Sequence, residues 1–291
     1  MAAPTGRTYT LLGVPLRTGS LMPGSENDAQ AYREAGIVER LRAAGCTVVD
    51  GGDVAIPSYL PHHSIPPIRS WPGPRIAWDC VCDRLAPILR EPGQVPLLLG
   101  CDCSIVVGTA RALAAAAPEG VHVLYVDGDF DDAPPDGGRC QSAAAMAVWL
   151  LTRGGPFRPD PPLAPARVTV VGCSASSAAP AEAVPSVTLA DVRREGPRAA
   201  ARRALAGVAP DAAVLVHLDI DVMRATDMPA AYFPRAEGLA LAEVTELLDE
   251  LLHDPRLRLV EVAEFAALRD RDHQAARTII DVLARGLGAA R

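Results

Sequence analysis

The sequence predicts an α/β protein, a single three-layer domain built on a doubly wound parallel sheet of about eight strands. Short apolar runs alternate with helical stretches along the whole chain, and the first strand, helix and strand already form a βαβ unit. Residues 121–126 (VHVLYV) carry no charge and are rich in β-branched and aromatic residues, the composition of a strand buried on both faces; residues 214–221 (VLVHLDID) repeat that grammar. At 291 residues and 49% hydrophobic content the chain can bury one large core, so a single domain over residues 1–291 is expected, without internal repeat or linker.

Residues 9–13 (YTLLG) read as the first strand and 14–24 as a Pro/Gly loop. Residues 29–44 carry Ala31, Ile37, Val38 and Leu41 among charges, one amphipathic helix closed by Gly45. Residues 47–50 start a second strand, and the Pro-rich loop 54–76 follows; His62 and His63 lie in it without a third ligand nearby. Helices near 77–90 and 104–117 flank the third strand, 95–100 (VPLLLG). Cys80 and Cys82, one residue apart, read as helix packing. Further strands are expected at 121–126, 168–172, 184–189, 214–219 and 257–262, a Pro-rich loop at 155–165 and a last helix at 275–287. His122 and His217, inside apolar strands, read as satisfied core histidines.

Composition excludes several functions. The net charge is −7, all 28 basic residues are Arg, and no basic block forms a phosphate footprint, which argues against nucleic-acid binding. The first ten residues hold no apolar core and no apolar stretch approaches about 18 residues, so a membrane span is not expected and the cytoplasm is the expected location. Seven cysteines without an export signal read as free thiols.

The chemistry gathers where strands end. The run 121–126 stops in Asp127-Gly128-Asp129-Phe130-Asp131-Asp132. In an extended backbone residues two apart point the same way, roughly 6 to 7 Å apart, so Asp127, Asp129 and Asp131 are expected to line one side of a pocket. In open α/β sheets, ligands gather at these carboxyl ends. Carboxylates that close repel unless a cation or protons lie between them; a solvated acidic turn is the plainer alternative for this stretch alone. A second run ends in Asp219 and Asp221, and a third in Cys101-Asp102-Cys103-Ser104. Together they suggest one metal site assembled from three strand ends.

The order and spacing of these motifs resemble the ureohydrolase family of arginases, agmatinases and formiminoglutamases. AGIVERLRAAGCTVVDGGDV (35–54) looks like the family's first helix and second strand, GCDCS (100–104) stands where the family has Gly-Gly-Asp-His-Ser, and DGDFD (127–131) where it has Asp-Ala-His-x-Asp. HLDIDVMRATDMP (217–229) stands where it has Ser-x-Asp-x-Asp-x-x-Asp-Pro, and VEVAEF (260–265) matches the strand whose Glu binds the guanidinium. The resemblance implies an arginase-like fold, a homo-oligomer, and two manganese ions. Their ligands here would be Cys103, Asp127, Asp129, Asp131, Asp219 and Asp221.

Both family histidines are therefore replaced, and no His stands in 141–146 (QSAAAM), where arginases carry a proton shuttle. Cysteine at the first position is similar to the branch that hydrolyses Nω-hydroxyarginine in antibiotic biosynthesis, as is MPAAYFP (228–234). That branch keeps the second His. Five Asp and a thiolate exceed the charge of two divalent ions, which weakens the Lewis acid; oxygen-rich ligands favour Mn²⁺ or Mg²⁺. One ion, two or none is open, with protonated carboxylates or an Arg such as Arg139 or Arg224 filling in. The implied activity is hydrolysis of a C–N bond in a small guanidino or N-hydroxyguanidino compound, with Asp131 steering water and passing a proton and Glu264 pairing with the guanidinium. The alternatives are a metal-poor tailoring enzyme of another reaction class and a silent homologue acting as a binding subunit.

Overall fold

The uncharged runs become the strands of one sheet. In the computed structural model the described residues are 6–20, 24, 26–57, 60, 62–100, 102–158, 160–174 and 184–288, so the 175–183 loop and Cys101 lie outside them. In chain order the elements are β1 (Thr8–Gly13), α1 (Asp28–Glu34), α2 (Ile37–Ala43), β2 (Thr47–Asp53), the short strands β3 (His62–His63) and β4 (Trp71–Pro72), α3 (Gly73–Arg90), β5 (Gln94–Leu99), α4 (Val106–Ala116) and β6 (Val121–Val126). There follow α5 (Ala147–Thr152), β7 (Val168–Val171), β8 (Ser186–Val187), α6 (Leu189–Glu195), α7 (Pro197–Ala206), β9 (Ala213–Asp219), α8 (Leu241–Leu252), β10 (Leu257–Ala263) and α9 (Gln274–Leu287).

The eight-stranded sheet runs β2-β1-β5-β10-β9-β6-β7-β8. Every pairing within it is parallel, and β3 with β4 forms a separate antiparallel ribbon. Alternate residues of each strand serve two cores: Leu124, Val126, Val214 and Val216 enter one, with α1, α2 and α6–α9, while Val123, Tyr125 and Leu215 enter the other, with α3–α5. This is the three-layer, doubly wound arrangement the sequence predicts. Among the described residues, no helix is long and apolar enough to cross a membrane.

Two local expectations fail. The stretch 29–44 forms two helices, because Gly36 takes a left-handed φ of 86° between them; Asn27 caps the first through its side chain. The edge strand β8 has two residues where six were expected, and a short edge offers little unpaired backbone to other chains.

The topology places the site. Strands β5 and β6 follow one another in the helix-connected chain yet are separated in the sheet by β10 and β9. Four adjacent strands therefore deliver their carboxyl ends, and the residues just beyond them, to one crevice.

Candidate metal centre

Each loop at that crevice is held by its own hydrogen bonds. After β5, the Asp102 carboxylate accepts from Ser104 N (3.1 Å), Ser104 Oγ (2.5 Å) and Gly19 N (2.9 Å), which seats Cys103 facing inward. Cys103 Sγ donates to Asp219 Oδ2 at 2.8 Å and lies 3.8 Å from Asp127 Oδ2. At the end of β9, Asp219 Oδ1 accepts from Asp221 N at 2.7 Å, and Asp221 Oδ1 accepts from Gly128 N at 3.3 Å. Glu264, beyond β10, has a left-handed φ of 61° and accepts from Cys103 N at 3.4 Å; its Oε2 is buried without a partner. Such a backbone conformation is costly for a non-glycine residue and persists only where the surrounding structure holds it.

The acidic loop after β6 departs from the expected alternation. The strand stops at Val126, Asp127 Oδ1 accepts from Asp129 N at 2.6 Å, and Asp131 takes a φ of 50°. This turn brings the Asp127 and Asp131 carboxyls close enough to act on one another electrostatically, and Tyr125 Oη donates to Asp131 Oδ2 at 2.6 Å. Asp129 leaves the cluster. Its side chain is 49% exposed and pairs with Arg235 Nη1 at 2.5 Å. Gly128 makes room for that arginine, since a Cβ there would lie 2.6 Å from Arg235 Cδ and 2.8 Å from the Asp221 carbonyl. The cation beside the cluster is thus Arg235, where Arg139 or Arg224 was expected. Arg139 pairs with Asp136 and Arg224 with Asp227, at side-chain exposures of 75% and 46%.

Five of the six expected ligands, Cys103, Asp127, Asp131, Asp219 and Asp221, therefore come together with Glu264, and Asp129 does not. His217 joins them. It was expected to be a satisfied core histidine, but only Nδ1 is satisfied, by Glu261 at 2.7 Å, and Nε2 has no partner. Tyr125, Glu261 and Arg235 are functional candidates that sequence reasoning missed. His122, expected like His217 to be a satisfied core histidine, is also half satisfied: Nε2 meets Thr169 Oγ1 at 2.9 Å, away from the cluster, while Nδ1 is buried without a partner.

The electrostatics are those of carboxyls crowded out of water. Burial first, then neighbouring carboxylates, raises Asp127, Asp219 and Glu264 well above the usual range, and raises the Cys103 thiol in the same way. Burial pushes Asp131 up to about 8 and Asp221 to about 7. Without a cation the cluster holds protons, and shared hydrogen bonds such as Cys103 to Asp219 are the result.

The donor set fits divalent ions. Among the described residues, two groups present ligand atoms all within 4.8 Å of one another: Asp127, Asp219 and Asp221, and Cys103, Asp127 and His217. A surface cleft of about 960 Å³ between Arg40, Arg198, Asp249 and Arg285 shares no residue with them.

Comparison with known proteins agrees. The arginase family model matches residues 7–288. The chain belongs to the arginase family. It is 28% identical to an arginase from Brucella melitensis over 295 residues, 96% of this chain and 95% of the relative. It is 30% identical to an Nω-hydroxy-L-arginine amidinohydrolase from Streptomyces lavendulae over 206 residues, 68% of this chain and 71% of the relative. The fold matches the crystal structure of an arginase from Bacillus cereus with a TM-score of 0.81 at 21% identity, covering 98% and 99% of the two chains. Membership of this family supports amidinohydrolase function for the chain.

Proposed function

We propose that this protein is a metal-dependent hydrolase of a C–N bond in a small guanidino compound, with an N-hydroxyguanidine preferred over arginine, serving specialised metabolism. The observation that carries the reading is the convergence of Asp127, Asp219 and Asp221 within 4.8 Å at the carboxyl edge of an arginase-family sheet. Asp127, Asp131, Asp219 and Asp221, with Cys103, would hold the metal, Mn²⁺ or Mg²⁺ at the all-carboxylate end. A divalent ion bound there supplies Lewis acidity and lowers the pKa of water.

The chain's own residues divide the remaining work. Glu264, 2% exposed with one carboxylate oxygen lacking a partner, would receive the two N–H groups of a guanidinium. Asp131, oriented by the Tyr125 hydroxyl, would steer the attacking water, take its proton and pass it to the leaving nitrogen. Arginine's head group is strongly basic and this chain lacks a shuttle histidine in 141–146, so an N-hydroxyguanidine, with a much less basic head group, would suit it better. The Streptomyces lavendulae relative, named for Nω-hydroxy-L-arginine, supports the same preference.

The test is release of urea or hydroxyurea from arginine, agmatine and Nω-hydroxyarginine by manganese-loaded protein. Hydroxyurea release that outpaces urea release supports the proposal; rapid turnover of arginine refutes the substrate preference, and no release from any guanidine refutes the activity.

A further inference from the structure

Three neighbouring strands set one side chain each in a row beneath the strand-end carboxylates. Glu261 of β10 is in register with His217 of β9, which is in register with Tyr125 of β6. The His217 ring is fully buried and stacks on Tyr125 with centroids 4.3 Å apart and planes 5° from parallel. Its Nδ1 meets Glu261 Oε1 at 2.7 Å. With Nδ1–H donating to that carboxylate, Nε2 keeps its lone pair, and Nε2 is the buried nitrogen with no hydrogen-bond partner. Two residues along the same strand, on the same face, lies Asp219. The ligand atoms of His217, Cys103 and Asp127 lie within 4.8 Å of one another.

We propose that His217 Nε2, Cys103 Sγ and an Asp127 oxygen form a three-ligand site for a borderline divalent ion such as Zn²⁺ or Co²⁺, with Glu261 as the positioning residue that orients the imidazole. The proposal rests on reading the cluster as a metal centre and adds a ligand, a donor type and an ion preference to it. Nitrogen, sulfur and one carboxylate suit a tetrahedral ion with one position left open, whereas Asp127, Asp219 and Asp221 alone offer only hard oxygen. A carboxylate on the far nitrogen of a ligating histidine fixes its tautomer and raises its basicity. Binding converts Cys103 S–H to a coordinated thiolate and releases the proton to solvent, with no change of oxidation state. The neutral nitrogen missing from Cys103 and Asp129 is supplied from strand β9 instead.

The test uses the full chain, stripped of metal and titrated with Co²⁺, Zn²⁺ and Mn²⁺ separately. The wild type gives a near-ultraviolet thiolate-to-cobalt band and a hyperfine-shifted, exchangeable imidazole N–H resonance from the proton shared with Glu261. Cys103→Ser abolishes the band. His217→Gln weakens Zn²⁺ and Co²⁺ by more than the roughly 10- to 100-fold that loss of an outer partner costs, while Mn²⁺ binding to the carboxylates is largely kept; Glu261→Gln falls within that 10- to 100-fold range. Absence of either wild-type signal overturns the proposal even if a variant fails to fold, as does a His217→Gln protein that binds Zn²⁺ like the wild type. Both signals in a protein that hydrolyses no guanidine sustain the site and refute the proposed activity. Guanidine hydrolysis with manganese but no cobalt–thiolate band does the reverse.

Discussion

Metal affinity at this centre should fall steeply as the solution is acidified. Burial puts Asp131 at about 8 and Asp221 at about 7, so at about pH 6 a cation that uses both oxygens displaces a proton held by about two pH units at the first and about one at the second. At about 1.4 kcal/mol per unit the cost is roughly 4 kcal/mol, about a thousandfold in affinity relative to about pH 8.5. Competition against a metallochromic indicator across that range measures it directly. Asp131→Asn removes about a hundredfold of that dependence. The sign for stability follows from the same groups. Unfolded, both titrate near 4, so above that value the metal-free native state binds more protons than the unfolded chain, and its stability falls as pH rises toward about 8. A manganese affinity that changes less than about tenfold between about pH 6 and about pH 8.5 would refute the argument that these carboxyls hold protons in the metal-free protein.

Other consequences follow from single side chains. Arg235→Gln removes the cation beside the cluster: thermal stability should change by no more than about 1 kcal/mol, because Asp129 is half exposed, while isothermal titration shows tighter Mn²⁺ binding. Tyr125→Phe deletes the hydrogen bond that lowers the Asp131 pKa, so the acid-side pKa of the pH–rate profile, set by the base that must be unprotonated, moves up, and the loss of one bond to a buried carboxyl costs about 1–3 kcal/mol in stability, read as a fall in Tm. Cys103→His with Asp129→His restores two neutral ligands; combined with Arg235→Gln, which ends the competing ion pair, it should bind Mn²⁺ more tightly and raise urea release from arginine.

Much of this was legible in sequence because burial writes itself into composition. An uncharged run that halts in acids, as at Val126 and again at Asp219, is a parallel strand delivering carboxylates to a sheet edge, and three such ends located the centre. What periodicity does not encode is which distant residue answers a charge. Asp129 turns away because Arg235, 106 positions later, meets it across the space that Gly128 leaves open. His217 was misread for a related reason: an apolar neighbourhood says that a histidine is buried, while the register to Glu261 and Tyr125 that leaves one nitrogen over exists only once β9 lies between β10 and β6. Helix α8, by contrast, carried its signal openly. Val244, Leu247, Leu248 and Leu251 recur at helical spacing.

The central claim, that the strand-end cluster hydrolyses a guanidino compound through metal it holds, meets its most direct test in one paired measurement. Metal content and hydroxyurea release from Nω-hydroxyarginine are determined on the same samples of wild type and Asp219→Asn, equilibrated with Mn²⁺ and without chelator. The wild type should carry at least one ion per chain and release hydroxyurea, and the variant should lose both together. Release that persists in metal-free protein, or undiminished in Asp219→Asn, would contradict the account.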